Sequence, residues 1–292
     1  MDIKLGIITI NFNTEDLLNR LIKSILTQTY KNWVMIIVNN SESDSAIKQV
    51  ISGYDREKIR LLSINKNIGY SKGNNAGFNY LFDEGLINKN DMILFTNEDI
   101  VIDNDCFFEE AIKRIEAAGC GFWGPKIINT DGSLMLPHPR KSNYLKCLLH
   151  IGNNGTIDRI FRINRNIKDY DRQLEVFLLN GAFFICNVRD FLNAGMLDEN
   201  TFIYYEEELL YRNVAARNIK VLYDPTLHIY HEHSASVKKS FSILHKKKFV
   251  FEGELYFLRT ILKINKFLEY LFRFERNVEF LLYKLSALLK SK

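Results

Sequence analysis

The chain alternates between short apolar runs and stretches in which apolar residues recur every three or four positions. Lys4 to Phe12 (KLGIITINF) is a continuous β-branched and apolar run, the pattern of a strand buried on both faces of a parallel sheet. Glu15 and Asp16 then favour a helix start with Asn13 or Thr14 as its cap, and Leu17, Leu18, Leu21, Ile22 and Ile25 follow at helical spacing. Asn32 to Ser41 predicts a second strand ending in small polar residues, Ile59 to Ile64 a third and Asp91 to Phe95 a fourth. This alternation predicts right-handed crossovers and an α/β fold, a mostly parallel, doubly wound sheet flanked by helices. Ligands on such sheets bind beyond the carboxyl ends of the strands, which puts Asn11 to Asn13, Asn39 to Ser41 and Thr96 to Asp99 on one rim.

Further along, Gly121 to Leu136 reads as a strand and a hairpin turned at Asp131-Gly132. Residues 141 to 174 carry weak signals, those of a loop with short helices. Glu175 to Gly195 reads as a strand pair followed by a short helix. From Phe241 to Lys292 the composition is helical, and Phe267, Tyr270, Leu271, Phe274, Val278, Leu281, Leu282 and Leu285 form an apolar stripe. The expected division is a globular domain over 1–240 and a basic amphipathic helical extension over 241–292.

Composition narrows the classes. With 47% hydrophobic residues, 25% charged and only 4 Pro, the chain reads as an ordered globular protein. The net charge of +4 is uneven: residues 241–292 hold eleven Lys or Arg against five Glu, a local +6, which leaves −2 for residues 1–240. That basic tail packs on the domain or on a second subunit as a homodimer, or it lies on an anionic membrane surface; a nucleic-acid partner is not expected. No apolar run reaches the length of a spanning helix, and the N-terminus lacks the basic flank and cleavage site of a signal peptide. A cytoplasmic protein is expected, soluble or peripheral on the inner face of the plasma membrane. Cys106, Cys120, Cys147 and Cys186 are scattered, as reduced thiols are.

Three stretches carry chemistry. TNED (Thr96 to Asp99) follows a buried strand, and Asp99 with Glu98 beside it offers hard oxygen ligands for a divalent cation that bridges nucleotide phosphates; the plain alternative is a helix cap or a solvated turn. NIGYSKGNNAGF (Asn67 to Phe78) has Gly69, Gly73 and Gly77 for tight turns and close approach, with Asn74 and Asn75 as caps of a following helix; it is neither a Walker A loop nor GxGxxG. EEE (Glu206 to Glu208) opens a helix. Glu208 sits four residues before Arg212, the spacing of a surface ion pair, whereas Glu206 and Glu207 point toward the domain. The helix dipole and an ordinary carboxyl pKa keep such a glutamate ionised near neutrality.

In their order, IITINFNTEDLLNRLIKSILTQTY, VNNSESDS, NIGYSKGNNAGFN, TNEDI, GPKI, NGAFFICNVRDFLNAGMLDENTFIYYEEE and HEHSAS resemble the family-2 glycosyltransferases of the GT-A fold, in particular their rhamnosyltransferase-like branch. The resemblance runs from Ile3 to Lys239. It implies transfer of a sugar from a UDP-, dTDP- or GDP-linked donor to an acceptor hydroxyl with inversion, in surface polysaccharide or glycolipid assembly, the acceptor a saccharide or lipid-linked saccharide. By resemblance Thr9, Asn11, Asn39, Asn40 and Ser41 line the nucleoside pocket, and Asn67, Gly69 and Asn75 lie near base, ribose or sugar. Asn97, Glu98 and Asp99 match the DxD-like motif; Asn97 stands where the first Asp is usual, so Asp99 carries Mg²⁺ or Mn²⁺, and Glu98 joins the donor site or faces solvent. Asn39 stands where the family often has Asp. Glu207 is the first choice for the catalytic base and Glu206 the second. His231 completes the metal or diphosphate site, with His233 as fallback and Lys238 or Lys239 as phosphate partners, and His138 and Arg140 fall in the acceptor region. A nucleotidyltransferase and a catalytically inactive nucleotide-sugar-binding partner are the competing readings.

Overall fold

The computed structural model describes residues 3–138, 141–148, 170–232 and 243–290, without the side chains of 243 and 284–290. Arg140, His233, Lys238, Lys239 and much of the weakly patterned 141–174 stretch lie outside the described residues. The chain forms two compact units. One comprises the described residues of 1–141, 169–202 and 206–240, and the other those of 142–168, 203–205 and 241–292.

The first unit is built on a ten-stranded sheet among the described residues. Strands β1 (Leu5–Asn11), β2 (Trp33–Asn39), β3 (Ile59–Ser63) and β4 (Met92–Thr96) lie in the order β3-β2-β1-β4, all parallel, with Leu5 opposite both Trp33 and Met92. This half matches the apolar runs in the sequence. The other half is mixed. Strand β9 (Phe183–Asn187) runs antiparallel between β4 and β6 (Phe122–Asn129), β10 (Val221–His231) is parallel to β6, and the two-residue β5 (Ile100–Val101) pairs antiparallel with the end of β10. The hairpin at Asp131-Gly132 is present, with β7 (Leu134–Met135) antiparallel to β6 and Gly132 at φ 78°. The strand pair read from Glu175 onward is not a pair: β8 (Leu174–Glu175) joins β10 while β9 enters the centre of the sheet. Their apolar pattern shows that they are strands, but not which neighbour each one meets.

Helices cover both faces. Helix α1 (Glu15–Leu26), α2 (Ser45–Ile51) and α4 (Phe107–Ala118) pack on one side, around Leu18, Leu21, Ile47, Phe107, Phe108 and Trp123. Helix α3 (Tyr70–Asp83), α6 (Val188–Asn193) and α7 (Glu206–Ala216) pack on the other, where the Phe95 and Phe184 rings stack at 4.9 Å and Phe78, Phe191 and Tyr211 complete the layer. Each such ring stabilises by roughly 1.5–3 kcal/mol on burial.

The glycine-rich segment differs from its reading. Its helix begins at Tyr70, so Asn74 and Asn75 sit inside α3 rather than capping it. Gly69 is the residue before the helix, at φ +87°, where a Cβ would stand 2.4 Å from the Phe202 carbonyl oxygen. Gly73 and Gly77 do not turn the chain. They let α3 lie directly on the sheet, since a Cβ at either would meet Ile10 or Ile8 at 2.8 Å.

In the second unit, α8 (Ile243–Thr260) and α9 (Lys266–Lys290) pack with the short α5 (Tyr144–Leu148). The inner face of α9 carries Phe272, stacked on Phe251 of α8 at 5.8 Å, and Arg276, which is 2% exposed. Arg276 donates from Nε and Nη2 to Glu254 Oε2 and from Nη2 to the Cys147 carbonyl, and Tyr205 donates to Glu254 Oε1 at 2.8 Å.

Candidate active site at the sheet rim

Strand pairing builds the centre of the site. The end of β10 lies against β5, His231 opposite Ile100, and Glu232 N–H donates to the Asp99 carbonyl at 2.7 Å. This register carries His231 onto the side chain of Asp99, with Nε2 3.2 Å from Asp99 Oδ1 and both residues buried. Asn129 at the end of β6 lies opposite His231, its Oδ1 3.2 Å from His231 Nδ1. Asn129 in turn donates to Ser133 Oγ, and Ser133 donates to Asp131 Oδ1. That chain orients the Asn129 amide so that its oxygen faces the ring. A neutral His231 then holds its proton on Nδ1 and presents the Nε2 lone pair toward Asp99.

Asp99 Oδ1 is buried with no donor in hydrogen-bonding geometry. A carboxylate oxygen and an imidazole lone pair converging at that distance suit a divalent cation. Among the described residues no group of three or more His, Cys, Asp or Glu is placed to hold a metal ion. The residues present therefore fit a cation that draws its other ligands from a phosphate-bearing ligand and water, as Mg²⁺ commonly does.

Glu98 is a correction. It does not face solvent: it is 5% exposed, accepting hydrogen bonds from Asn11 Nδ2 at 2.5 Å and from the Thr14 hydroxyl. Burial pushes its carboxyl up to about 8, against the pull of those two bonds. Thr14 precedes α1 as expected, but its hydroxyl serves Glu98 in place of the helix end. Glu98 thus ties the end of β1 to the turn after β4.

Most of the other polar groups on the rim are engaged with one another, while Thr9 Oγ1 and Asn40 Oδ1 are buried without a hydrogen-bond partner. Thr9 and Asn11 are fully buried, and Ser41 Oγ accepts from Asn13 N–H at 2.9 Å. Asn39 accepts from Ser41 N–H and donates through Nδ2 to the Ser43 carbonyl and to Asp44 Oδ1 at 2.6 Å. Hydrogen bonds from Ser63 and Asn39 hold the Asp44 carboxyl below its usual range. An aspartate at position 39 would face that carboxylate directly, which gives a physical reason for the amide. Asn40 donates to the Gly69 carbonyl at 3.2 Å, and Asn67 Oδ1 accepts from Gly69 N–H at 3.0 Å, so both shape the turn into α3. Asn75 donates to the Leu197 carbonyl and Glu199 Oε1 and accepts from Leu197 N–H, clamping the loop that leads toward α7. Asn97 is half-buried, and its N–H donates to the Ala182 carbonyl at 2.9 Å.

That last bond links Asp99 to the glutamates, because Ala182 adjoins Gly181. Gly181 N–H donates to the Glu207 carboxylate, and a Cβ at Gly181 would stand 2.4 Å from Glu207 Oε1. Only glycine leaves Glu207 this seat. Tyr70 fixes the same loop, its hydroxyl donating to the Gly181 carbonyl at 2.7 Å. Glu208 pairs with Arg212 at 3.0 Å at the predicted spacing, but Glu208 is buried and Arg212 half-buried, so the pair is not on the surface, which corrects that part of the reading. Glu206 is buried with Oε2 unpartnered. Glu207 is half-buried. The expected ordinary pKa does not hold: burial first, then Glu207, lifts Glu206 well above the carboxyl range, and burial lifts Glu207 against the backbone donors. His138 is exposed and bridges through its backbone to Leu178, near this loop.

Sequence reading did not single out Asn129, Gly181 or Tyr70. The only signals were a turn, NTDGS, that looked like an ordinary hairpin, and an Asn-Gly step inside an apolar run.

The mixed α/β sheet flanked by helices has GT-A architecture, as comparison with solved structures shows. The mannosyltransferase PcManGT from Pyrobaculum calidifontis, in complex with GDP-Man and Mn²⁺, superposes with a TM-score of 0.58 at 10% identity, covering 90% of this chain and 65% of that one. GalNAc-T7 with UDP, GalNAc and Mn²⁺ gives 0.60 at 12% identity, covering 94% and 54%. At the sequence level the profile described as Glycosyl transferase family 2 matches residues 6–219, and the chain belongs to that family. The low-salt glycan biosynthesis hexosyltransferase Agl10 of Haloferax volcanii is 27% identical over 209 residues, 71% of this chain. This chain spans 61% of the length of that relative. The family match ends before β10, so His231 lies beyond it.

Proposed function

We propose that the protein is a metal-dependent, inverting glycosyltransferase of the rhamnosyltransferase-like branch, moving a sugar from a nucleotide-diphosphate donor to an acceptor hydroxyl in surface polysaccharide or glycolipid synthesis. Residues 1–240 form the transferase domain in this reading. The carrying observation is one constellation: Asp99 against His231, joined through the Asn97–Ala182 bond to the loop that seats Glu207. Asp99 and His231 would hold the cation, which when bound supplies positive charge for the leaving diphosphate. Asn129 keeps His231 in the tautomer whose Nε2 can ligate. Glu207, with Glu206 behind it, takes the acceptor hydroxyl proton. The acceptor oxygen then bonds the anomeric carbon on the face opposite the breaking bond to the diphosphate. The raised pKa of Glu207 makes it a stronger base than a surface glutamate. The donor-binding role of Thr9, Asn39, Asn40, Ser41, Asn67, Gly69 and Asn75 is indirect in this reading: they shape the backbone of the rim.

The test is a thermal-shift screen of UDP-, dTDP- and GDP-sugars with Mn²⁺ and again with EDTA. At least one donor should raise the transition in Mn²⁺ only, and Asp99→Asn should remove that rise. No shift with any donor in either condition overturns the proposal. Release of pyrophosphate in place of nucleoside diphosphate during turnover would assign a nucleotidyltransferase instead.

A further inference from the structure

The helical tail is built inside out. Its longest helix turns Arg276, Glu279 and Phe272 toward α8, where Arg276 meets Glu254, and Lys247 of α8 pairs with Glu279. The stripe of Phe267, Tyr270, Phe274, Val278, Leu281 and Leu282 faces out, each residue between 41% and 67% exposed. These positions recur at three- and four-residue spacing over about 22 Å of helix. Isolated exposed apolar residues are ordinary; a contiguous aromatic and leucine ridge marks a surface that meets something else.

Because the inner face of α9 is already satisfied by its own unit, the stripe is not the seam that holds the two helices together. What covers it is decided by charge. Residues 241–292 carry eleven Lys or Arg against five Glu. The tail as a whole is net basic, so a second copy would bring like charge toward the same face, which opposes it. An anionic lipid surface attracts the same charge. Lys266 is exposed beside Phe267 at one end of the stripe, from which it can extend its ammonium to headgroup level, whereas Arg273 is held by Glu269 and the Phe251 ring. Among the described residues no helix is long and apolar enough to cross a membrane, so contact means lying in the interface.

We propose that α9 docks its Phe267–Leu282 stripe on an anionic phospholipid surface, lying parallel to it with the apolar side chains among the acyl chains and the basic residues at headgroup level. The inference rests on the tail unit alone and stands or falls separately from the chemistry proposed for the rim.

Flotation of the full chain with vesicles tests it. The chain should float with phosphatidylcholine containing about a third phosphatidylglycerol and stay behind with phosphatidylcholine alone, and raising salt from about 0.1 M to about 1 M should weaken binding. Phe274→Glu and Leu281→Glu should each lower vesicle affinity by at least about tenfold. Since both side chains are exposed, the far-ultraviolet circular dichroism should not change; Phe274→Ser repeats the test should a glutamate disturb the helix. Absence of binding to anionic vesicles overturns the proposal. So does a chain that light scattering finds dimeric and that Phe274→Glu makes monomeric without any vesicle binding, the result expected if a second copy covers the stripe.

Discussion

The sheet rim and the helical tail break the usual rule of inside and outside in opposite directions. At the rim, carboxylates, amides and an imidazole are buried: Glu98, Asp99, Glu206, Asn39 and His231 all lie below the surface. In the tail, phenylalanines and leucines stand in the open. Buried polar groups are costly unless each finds a partner, and the rim meets that cost with donors at Asn11 and Thr14 for Glu98 and an acceptor at Asn129 for His231. Four rim oxygens lack a hydrogen bond, Thr9 Oγ1, Asn40 Oδ1, Asp99 Oδ1 and Glu206 Oε2, and the last two belong to the constellation proposed for catalysis. The tail buries one ion pair, Arg276–Glu254, beside Phe257, Leu258 and Phe272, and leaves a second apolar face outside. Unusual burial and unusual exposure thus point to function by the same logic: each surface is shaped for chemistry that the rest of the chain does not supply.

The widest separation between the two regions should come from Glu207→Gln. Transfer should fall by as much as about 10⁴-fold, while the donor-induced thermal shift in Mn²⁺ and vesicle binding both persist. Gly181→Ala should act in the same direction through the Cβ that would collide with Glu207, again sparing the thermal shift. Full activity in either variant moves the base elsewhere.

Arg276→Met strikes the tail instead. It leaves Glu254 buried without its cation and should cost about 3–5 kcal/mol in chemical denaturation. The double variant with Glu254→Gln should recover part of the loss. If Arg276→Met leaves stability unchanged, the inverted packing of α9 is wrong.

Asn129→Ala is a finer probe of the rim. Freed from its tautomeric partner, His231 should lose about tenfold in Mn²⁺-dependent donor affinity, read from the thermal shift, without a change in the shift seen in EDTA. An unaltered Mn²⁺ response would mean that the ring is not a ligand. The mildest effect should be on pH. Because burial raises Glu206 and Glu207 above the ordinary carboxyl value of 4.5, the base is protonated at low pH, and transfer should rise as pH increases through that raised range. A flat profile just above 4.5 would show that the base titrates like an exposed glutamate.

Much of the fold was legible because hydrophobic periodicity is a local property. The runs at Leu5–Asn11, Trp33–Asn39 and Met92–Thr96 are apolar throughout because parallel strands are covered on both faces. The stripe on α9 was legible for the same reason, as was the Glu208–Arg212 pair. The reading of Asn74 and Asn75 as caps failed because glycines in a sequence look alike whether they turn a chain or let a helix press on a sheet.

By itself, then, the sequence determined strands β1 to β4 and helix α1, that Thr96 to Asp99 lies at the end of a central strand, and that the tail carries an apolar stripe with a basic charge. Tertiary structure alone decided that His231 lands on Asp99, that Glu98 turns inward to Asn11 and Thr14, that Gly181 seats Glu207, and that the stripe faces out while Arg276 faces in. Those are matters of register and packing between segments distant along the chain. Periodicity tells each segment which of its faces is apolar, but the partner it meets is fixed only when strands pair and helices choose a side.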